Sequence, residues 1–575
     1  MATTRRVTVI ILSALGLSAC QQEHAARIGS AAPTSQPVAS TQPSAQSFFD
    51  QAEKCRIGSD IPPDPIRAAE LYRKAADLGH PAAHARLAAI LRAGIGLPKD
   101  VPQTRIILEK GAALGNAECA AGLGLFYCTG TTFDAPRQDE GFAMIRKAAE
   151  TGDPEAISAL SKAYERGWGV PPDIAKALDL LRKASELGSA SAPESLGFAY
   201  EKGIGVKADQ ATAATCYRQA VERHNPSAMF HLAEMYRDGR GVTKDENASA
   251  ELFRQSAMRG LAPAMNQLGW AYLHGVGVPR DAVNALNWLH KSADLGDTHA
   301  MTNIAGMYIE GWGVPRNAAT GILWMRKAAD LGDATACKNL AIIYNEGRGV
   351  PPDPVQGFYF SQKAAEKGSA TAMTYLAQAY ARGRGVTQNW QRALLWYQRA
   401  AERNDSLAMN SLGKLYQNGN GVNKDPATAL AWYKKAANLG FPDGLRNVGL
   451  CYTLGIGVEK DAVQALIYLR RAAALGDGEA MTTVGFSYEK GLGVKQDMAQ
   501  ALAWYRKGAD ADDPAGMNNL AVAYEMGNGI EQNLDQAKYW YRRAAAKGFL
   551  AAKKRLAELE PPVDSNPLPP ETQPH

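Results

Sequence analysis

The chain has 575 residues, of which 46% are hydrophobic and 21% are charged. This composition can bury a core and excludes an acidic, globally disordered protein. The 63 lysines and arginines exceed the 58 acidic residues by only 5, a surplus too small over this length to indicate nucleic-acid binding. No apolar run reaches the roughly 18–20 residues of a membrane-spanning helix, which excludes a polytopic membrane protein.

The amino terminus has the pattern of a secretory signal peptide over residues 1–19. Arg5 and Arg6 precede the short apolar run Val7–Leu17, and small residues follow it. A charged start, a short apolar stretch and small residues before a cleavage site are typical of an exported protein rather than of an anchor helix. We therefore expect this segment to be removed.

The residues Leu17-Ser18-Ala19-Cys20 resemble a bacterial lipobox. The resemblance implies cleavage before Cys20 and lipid attachment to it, which would be the protein's one contact with a bilayer. Several acyl chains together hold a protein stably on a membrane. Gln21 is not the aspartate that favours the inner membrane, so the resemblance implies an outer-membrane lipoprotein facing the periplasm, with cell-surface exposure as an alternative. A plain signal peptide with a coincidental cysteine is the other interpretation.

Two segments lack the composition of a folded core. Residues 20–47 are rich in Ala, Ser, Gln, Thr and Pro and contain almost no large apolar residue before their end. Residues 560–575 contain six prolines. Such sequences cannot bury enough surface to fold. We predict a disordered tether at 20–47 and a disordered, Pro-rich tail at 560–575.

The sequence between these segments is periodic. Eleven tyrosines recur every 36 residues, with glycines three and five residues after each one and an Asp or Asn nine residues after most of them; the tyrosines are Tyr164, Tyr200, Tyr236, Tyr272, Tyr308, Tyr344, Tyr380, Tyr416, Tyr452, Tyr488 and Tyr524. The same frame continues backwards through Tyr127, Leu91 and Cys55, with one residue inserted after Tyr127. The count is fourteen units over residues 48–559, closed by a capping helix near 550–559.

Each unit predicts a pair of helices. Apolar residues before the tyrosine, such as Leu268 and Ala271 before Tyr272, lie on one side of a helix. The first glycine after the tyrosine can end that helix in the left-handed conformation. The Asp or Asn that follows can cap the amino terminus of a second helix, which carries a buried Trp-Tyr or similar pair. One hairpin cannot bury both of its faces, so the copies must stack into an all-α solenoid.

The segment from Ala372 to Val386, with Tyr380, Gly383 and Gly385, resembles the Sel-one-like repeat (SLR), a relative of the tetratricopeptide repeat. The resemblance implies an α/α solenoid, wound as a right-handed superhelix of about fourteen repeats, in which the first helices line the concave surface. It also implies a non-enzymatic scaffold that binds proteins or peptides, and family members suggest envelope or exopolysaccharide-secretion assembly. A surface adhesin that binds host proteins is an alternative on the same scaffold.

The concave positions that the repeat does not require are candidate binding residues. The position two residues before the tyrosine is rich in apolar side chains, and carboxamides lie beside it. Apolar anchors flanked by amides suit an extended peptide, whereas packing inside a tight superhelix is the competing interpretation. The candidates are Phe198, Trp270, Asn303, Asn339, Ile342, Tyr375, Asn447, Leu450, Phe486 and Val522, and two loop tryptophans, Trp168 and Trp312, are further exposed-aromatic candidates.

Little in the sequence indicates catalysis, a metal or a cofactor. Ser411 with Lys414, and Ser487 with Lys490, match the Ser-x-x-Lys spacing of penicillin-recognising enzymes, but the companion motifs are absent. A β-lactam-active enzyme is therefore the minor alternative. His80 and His84 are the only close histidine pair, and we interpret them as surface residues with no third ligand. We expect the cysteines beyond Cys20 to be free and buried, and we expect no cofactor.

Overall fold

A computed structural model describes residues 43–58, 62–130 and 135–560. The chain divides into a unit Met1–Ser44 and a unit Ala45–His575, and the helices belong to the second. The predicted signal peptide, Cys20, most of the tether and the tail after Glu560 lie outside the described residues.

The described part of the second unit contains 29 α-helices. The first fourteen are α1 (Ala45–Ile57), α2 (Pro65–Asp77), α3 (Pro81–Ala93), α4 (Val101–Ala113), α5 (Ala117–Thr129), α6 (Gln138–Ala149), α7 (Pro154–Arg166), α8 (Ile174–Glu186), α9 (Ala192–Lys202), α10 (Gln210–Glu222), α11 (Pro226–Asp238), α12 (Glu246–Met258), α13 (Ala262–His274) and α14 (Ala282–Asp294). The others are α15 (Thr298–Glu310), α16 (Ala318–Asp330), α17 (Ala334–Glu346), α18 (Pro354–Glu366), α19 (Ala370–Arg382), α20 (Trp390–Ala401), α21 (Ser406–Asn418), α22 (Pro426–Asn438), α23 (Pro442–Leu454), α24 (Ala462–Ala474), α25 (Gly478–Lys490), α26 (Met498–Asp510), α27 (Pro514–Met526), α28 (Leu534–Ala546) and α29 (Leu550–Leu559).

The helices form fourteen consecutive pairs, which we number as repeats 1 to 14, and α29 follows the last pair. This is the predicted all-α solenoid of helix-turn-helix repeats. Helix α1 begins at Ala45, three residues before the predicted start of the solenoid at 48. Its first turn is held by Gln46, whose amide donates to Asp50 Oδ1 at 2.7 Å and whose Oε1 lies 3.1 Å from His80 Nε2. Among the described residues, no helix is both long and apolar enough to cross a membrane.

The turn inside each repeat is built as its residues predict. In repeat 7, Gly275 ends α13 with φ +73°, and its amide donates to the Ala271 carbonyl. Asp281 then caps α14, because its Oδ1 accepts from the amides of Val283 and Asn284 at 3.0 Å each. The Asp281 amide donates back to the Tyr272 carbonyl at 2.8 Å and closes the loop. The equivalent bond occurs in every repeat, including the pairs Asp64–Cys55, Asp100–Leu91 and, one residue longer, Arg137–Tyr127.

The second loop glycine has a role between repeats. A Cβ on Gly277 would collide with the carbonyl oxygen of Glu246, at the start of the second helix of the preceding repeat. Gly385 stands in the same relation to the Pro354 carbonyl. Each loop therefore contacts the second helix of the preceding repeat directly. The second glycine permits this close approach, and it also permits the left-handed turn, with φ +68° at Gly277.

A polar anchor joins the two helices of several repeats. The Tyr505 hydroxyl is buried and donates to Glu489 Oε2 at 2.5 Å, and Tyr217 donates to Glu201 Oε2 at 2.9 Å. Burial opposes the charge on Glu201, but the hydrogen bonds from Lys202, Arg240 and Tyr217 outweigh it, so the pKa of Glu201 falls to about 2. Each anchor fixes the second helix against the first.

The predicted aromatic pair of the second helix is buried unequally. Tyr433 and Tyr505 are almost fully buried, whereas the preceding Trp432 and Trp504 are only half-buried. The exposed face of each indole carries a cation from the next turn, with Lys435 Nζ 3.9 Å from the Trp432 ring centre. The periodic tryptophans are thus part core and part surface.

Among the described residues, hydrogen bonds join repeats distant in sequence at one place, which we call the seam. The Gly96 amide donates to the Gly260 carbonyl at 3.0 Å, and Ile95 and Leu261 form an isolated antiparallel bridge. Arg259 also donates to the Ile57 carbonyl at 3.3 Å. Outside the seam, hydrogen bonds among the described residues stay within a repeat or between neighbours. The seam brings the turn of repeat 2 against the end of repeat 6, so the first six repeats close on themselves.

Candidate inner-face binding site

The first helices form the inner side of the solenoid. First helices of successive repeats contact one another, as α5 does α7, α17 does α19 and α25 does α27, and within the described residues no two successive second helices approach as closely. Residues of the first helix that point away from its partner therefore converge across repeats. We call this surface the inner face.

The apolar row of the inner face is partly open to solvent. Phe198, Trp270 and Phe486 are 41%, 39% and 43% exposed, and Val522 is 36% exposed. Ile342 and Leu450 are half-buried. Open aromatic side chains at one register of several repeats offer contact area that the solenoid's own core does not use. Packing between helices accounts for the covered part of each side chain.

The predicted carboxamides interact with one another across repeats. Asn303 Nδ2 donates to Asn266 Oδ1 at 2.8 Å, and Asn447 Nδ2 donates to Asn410 Oδ1 at 2.7 Å. These pairs fix the side chains in direction, but each asparagine keeps further donor or acceptor capacity. The pairing could have been anticipated from the recurrence of asparagine at adjacent registers of successive repeats, a signal that the sequence analysis did not use.

Four of the predicted residues line one cavity of about 390 Å³ between repeats 8 and 9: Asn303, Trp312, Asn339 and Ile342. Gly306 lies at its floor, at the register where neighbouring repeats carry Trp270 or Ile342. A Cβ on Gly306 would lie 3.3 Å from Cζ3 of Trp312. The missing side chain therefore makes room for the loop tryptophan, which is 46% exposed. The cavity is lined by apolar and amide side chains and by the charged side chains of Glu310 and Arg348.

Tyr375 has a different environment from the other candidates. Its hydroxyl donates to Glu346 Oε1 of the preceding repeat at 2.5 Å. Burial, followed by this hydrogen bond to a carboxylate, raises the pKa of Tyr375 to about 12. The phenol is thus already engaged, and the half-buried ring is the part left for a ligand.

A second cavity, of about 440 Å³, lies between repeats 4 and 5 and brings together Trp168 and Phe198. Its rim carries the charged side chains of Lys162, Glu165 and Glu194. The sequence analysis assigned Phe198 to the concave row and Trp168 to the exposed loop tryptophans, and it did not place them together; Trp168 is half-buried. The sequence analysis also missed Lys162, which stands at the register of Phe198 and Trp270.

The chemistry of the inner face changes along the chain. In repeats 2 to 6 it carries charged groups, including Arg86, Glu118, Glu155 and Glu194, which line a common polar cavity inside the closed part. Burial raises the pKa of Glu118 and Glu194. From repeat 7 onward the same registers carry mostly uncharged side chains, with Lys338, Asp443, Arg446 and Glu479 as charged exceptions. Two segments of one inner face therefore present different surfaces.

The serines and histidines considered for catalysis or metal binding have structural roles in their helices. The hydroxyls of Ser411 and Ser487 donate to the carbonyls of Leu407 and Thr483, one turn earlier in their own helices. His80 caps α3, with Nδ1 accepting from Ala83 at 3.3 Å. His84 is 4% exposed, so its interpretation as a surface residue was wrong, because α4 and α5 cover it.

The six cysteines in the described part of the chain are unpaired, and all but Cys216 are buried. Burial, as the first of several causes, raises the pKa of Cys119 to about 12. No group of three possible metal ligands occurs among the described residues.

The repeats match the family model described as "Sel1 repeat" in fourteen consecutive segments between residues 56 and 549. The chain belongs to the Sel1 repeat family, as the resemblance predicted. Helical repeats of this kind are typical of protein–protein interaction scaffolds.

The chain is similar to two solved structures, of which the first shows the same fold. The protein c5321, a protective antigen of uropathogenic Escherichia coli strains with an SLR fold, is 29% identical, with a TM-score of 0.52, over 82% of this chain and 98% of that one. A Sel1 repeat protein from Oxalobacter formigenes is 27% identical, with a TM-score of 0.46, over 54% of this chain and 90% of that one.

A curated relative, chitin synthase regulatory factor 3 of Schizosaccharomyces pombe, is 30% identical over 103 residues. The match covers 17% of this chain and 11% of that protein, so this chain spans about a tenth of the relative's length.

Proposed function

We propose that this chain is a non-enzymatic scaffold that holds extended segments of partner proteins along its inner face. The observation that carries the proposal is the cavity above Gly306, where Asn303, Asn339, Ile342 and Trp312 converge. An extended peptide needs partners for its backbone amides and carbonyls and pockets for alternate side chains. The asparagines can supply the first, and the part of the cavity lined by Ile342 and Trp312 can supply the second.

The neighbouring repeats extend this surface. Trp270 lies one repeat before the cavity and Tyr375 one repeat after it, so aromatic side chains of the inner face flank the cavity on both sides. Anchoring aromatic and aliphatic side chains of this type carry most of the binding energy in protein interfaces. We expect partner segments of extended conformation with apolar side chains at every second position.

The proposal is tested by crosslinking the full-length protein in its native cells and identifying the captured segments by mass spectrometry. Trp270→Ala combined with Ile342→Ala should weaken capture about thirtyfold or more, since each loss removes an anchor worth about 1 kcal/mol or more. The matched control is Val283→Ala with Leu323→Ala, which truncates two side chains on second helices that are 80% and 62% exposed. Equal capture by both double variants would contradict a binding role for the inner face.

We further propose that a lipid on Cys20 anchors the scaffold to the bacterial outer membrane, where it serves envelope or exopolysaccharide-secretion assembly. The pattern Leu17-Ser18-Ala19-Cys20 supports this proposal. Metabolic labelling with an alkyne fatty acid should label the wild-type protein, and Cys20→Ser should abolish the label and release the protein from the membrane fraction. Labelling that survives the substitution would contradict the assignment.

A surface-exposed adhesin is the second candidate function, because the relative c5321 is described as a protective antigen. External protease on intact cells distinguishes the two. A scaffold facing the periplasm stays intact until the outer membrane is permeabilised, whereas an adhesin is cleaved at once.

A further inference from the structure

Lys162 lines three neighbouring cavities of the closed repeats. One is the 440 Å³ cavity with Trp168 and Phe198, and another, of about 210 Å³, is shared with Arg92, Leu125, Phe126, Thr129 and Trp168. The third is the polar cavity of the inner face in repeats 2 to 6, which Arg92 also lines. Two cations and an indole thus surround one small space with apolar walls.

Neither cation forms a direct contact with a carboxylate among the described residues. Among the described residues, Lys162 and Arg92 have no hydrogen-bond or ion-pair partner. The carboxylates nearby are engaged elsewhere: Glu165 with Arg166 at 3.4 Å, Glu194 with His231 at 3.7 Å, Glu118 with Arg86 at 3.7 Å, and Glu155 with the hydroxyls of Ser189 and Ser191 and the Ala190 amide. Lys162 and Arg92 therefore lack a direct partner, although the charges of Glu194, Glu155 and Glu165 still favour the protonated form of Lys162.

This arrangement opposes the charge on Lys162. Burial lowers the pKa of Lys162, and the like charge of Arg92 lowers it further. An anionic group placed between the two side chains would offset both the burial of Lys162 and its repulsion from Arg92. It would give each cation a charged hydrogen-bond partner in a space too confined for full hydration. The indole of Trp168 beside it can cover an apolar side chain of the same ligand.

We propose that Lys162 and Arg92 bind a carboxylate of the partner peptide, with an adjacent apolar side chain of that peptide against Trp168. The proposal rests on the proposed function and names the chemistry of the segment that the closed repeats select. The carboxylate belongs either to an Asp or Glu side chain or to a free carboxyl terminus, and both sources present the same two oxygens.

The test uses the full-length protein and a random library of 10-residue peptides with free carboxyl termini. The selected peptides are remade in two forms, one with Asp and Glu replaced by Asn and Gln and one with an amidated terminus, and their affinities are measured by fluorescence polarisation. One of the two replacements should weaken binding about tenfold, and that arm identifies the source of the carboxylate. The preference should shrink in high salt.

Lys162→Gln and Arg92→Gln should each weaken binding of the carboxylate form about tenfold and remove its advantage over the neutral form. Lys162→Arg should keep the advantage because the charge remains. Lys414→Gln is the matched control, since Lys414 occupies the same register in repeat 11 and is exposed; it should leave both affinities unchanged. Thermal melting checks that each variant is folded.

The outcomes separate this inference from the proposed function. Peptides that bind without a preference for a carboxylate, or whose preference survives in Lys162→Gln and Arg92→Gln, overturn the inference and leave the scaffold proposal standing. Failure of the whole library to bind contradicts both. Binding of an oligouronate in place of any peptide overturns the assignment of the ligand as a peptide.

Discussion

The seam between repeats 2 and 6 depends on the absence of one side chain. A Cβ on Gly260 would lie 2.5 Å from the Gly96 nitrogen and 2.9 Å from its Cα. Backbone atoms cannot move aside as the end of a flexible side chain can, so Gly260→Ala should open the seam. Gly296 ends the next repeat at nearly the same φ, +88° against +91°, and a Cβ there would meet nothing within 4 Å. Gly296→Ala is therefore a matched control.

The structure sets how much more Gly260→Ala should destabilise the closed repeats than Gly296→Ala. Both substitutions place an alanine in the left-handed region, at a cost of roughly 1–2 kcal/mol. Gly260→Ala also loses the 3.0 Å hydrogen bond from the Gly96 amide, worth about 0.5–1.5 kcal/mol, together with the packing around it. We expect Gly260→Ala to destabilise the closed state by about 1–3 kcal/mol more than Gly296→Ala.

Hydrogen exchange followed by mass spectrometry measures this directly. A peptide containing Gly96 should exchange at least about tenfold faster in Gly260→Ala than in the wild type, because about 1.4 kcal/mol corresponds to a factor of ten. The same peptide should be unaffected by Gly296→Ala. Equal protection of the Gly96 amide in the two variants would show that the seam does not hold the closed repeats together.

Three further predictions concern buried groups. Because the pKa of Glu201 is lowered to about 2 from an ordinary value of 4.5, the ionised carboxylate stabilises the fold above pH 4.5, and this contribution is lost as the pH falls towards 2. In acid-unfolding curves, Glu201→Gln should lose less stability than the wild type across that range. Parallel curves would contradict the lowered pKa of Glu201. Tyr505→Phe removes a hydrogen bond to the carboxylate of Glu489, whereas Tyr433→Phe removes one to the neutral side chain of Gln417. Urea unfolding should therefore show a loss of about 2 kcal/mol of stability for Tyr505→Phe and about 1 kcal/mol for Tyr433→Phe. The reverse order would contradict the stronger bond to the charged acceptor. Cys119 is buried, and its pKa is raised to about 12. A thiol reagent at pH 8 should therefore label the half-buried Cys216 first and Cys119 only when the protein unfolds. Early labelling of Cys119 would contradict its burial.

Much of the repeat could be predicted because its signals are local. The glycine after Tyr272 ends α13 and Asp281 begins α14 within ten residues of sequence, and these caps depend on backbone conformation rather than on distant partners. The same residues recur at a fixed spacing, so the number of repeats follows from the sequence as well.

The binding surface was predicted less completely. Exposure of Trp270, Phe198 and Trp312 agrees with their selection as candidates. The pairing of Asn303 with Asn266 and the gap above Gly306 depend on how far one repeat is rotated against the next. That rotation is a property of packing between helices and has no signature within a single repeat.

The sequence by itself determined the unit, its count and the all-helical class, because each turn and cap is encoded within 36 residues. Only the tertiary structure decided that Gly96 meets Gly260, and that Lys162 and Arg92 line one cavity. The physical reason is that small rotations accumulate from repeat to repeat. Residues from separate repeats therefore meet at positions that no local pattern specifies.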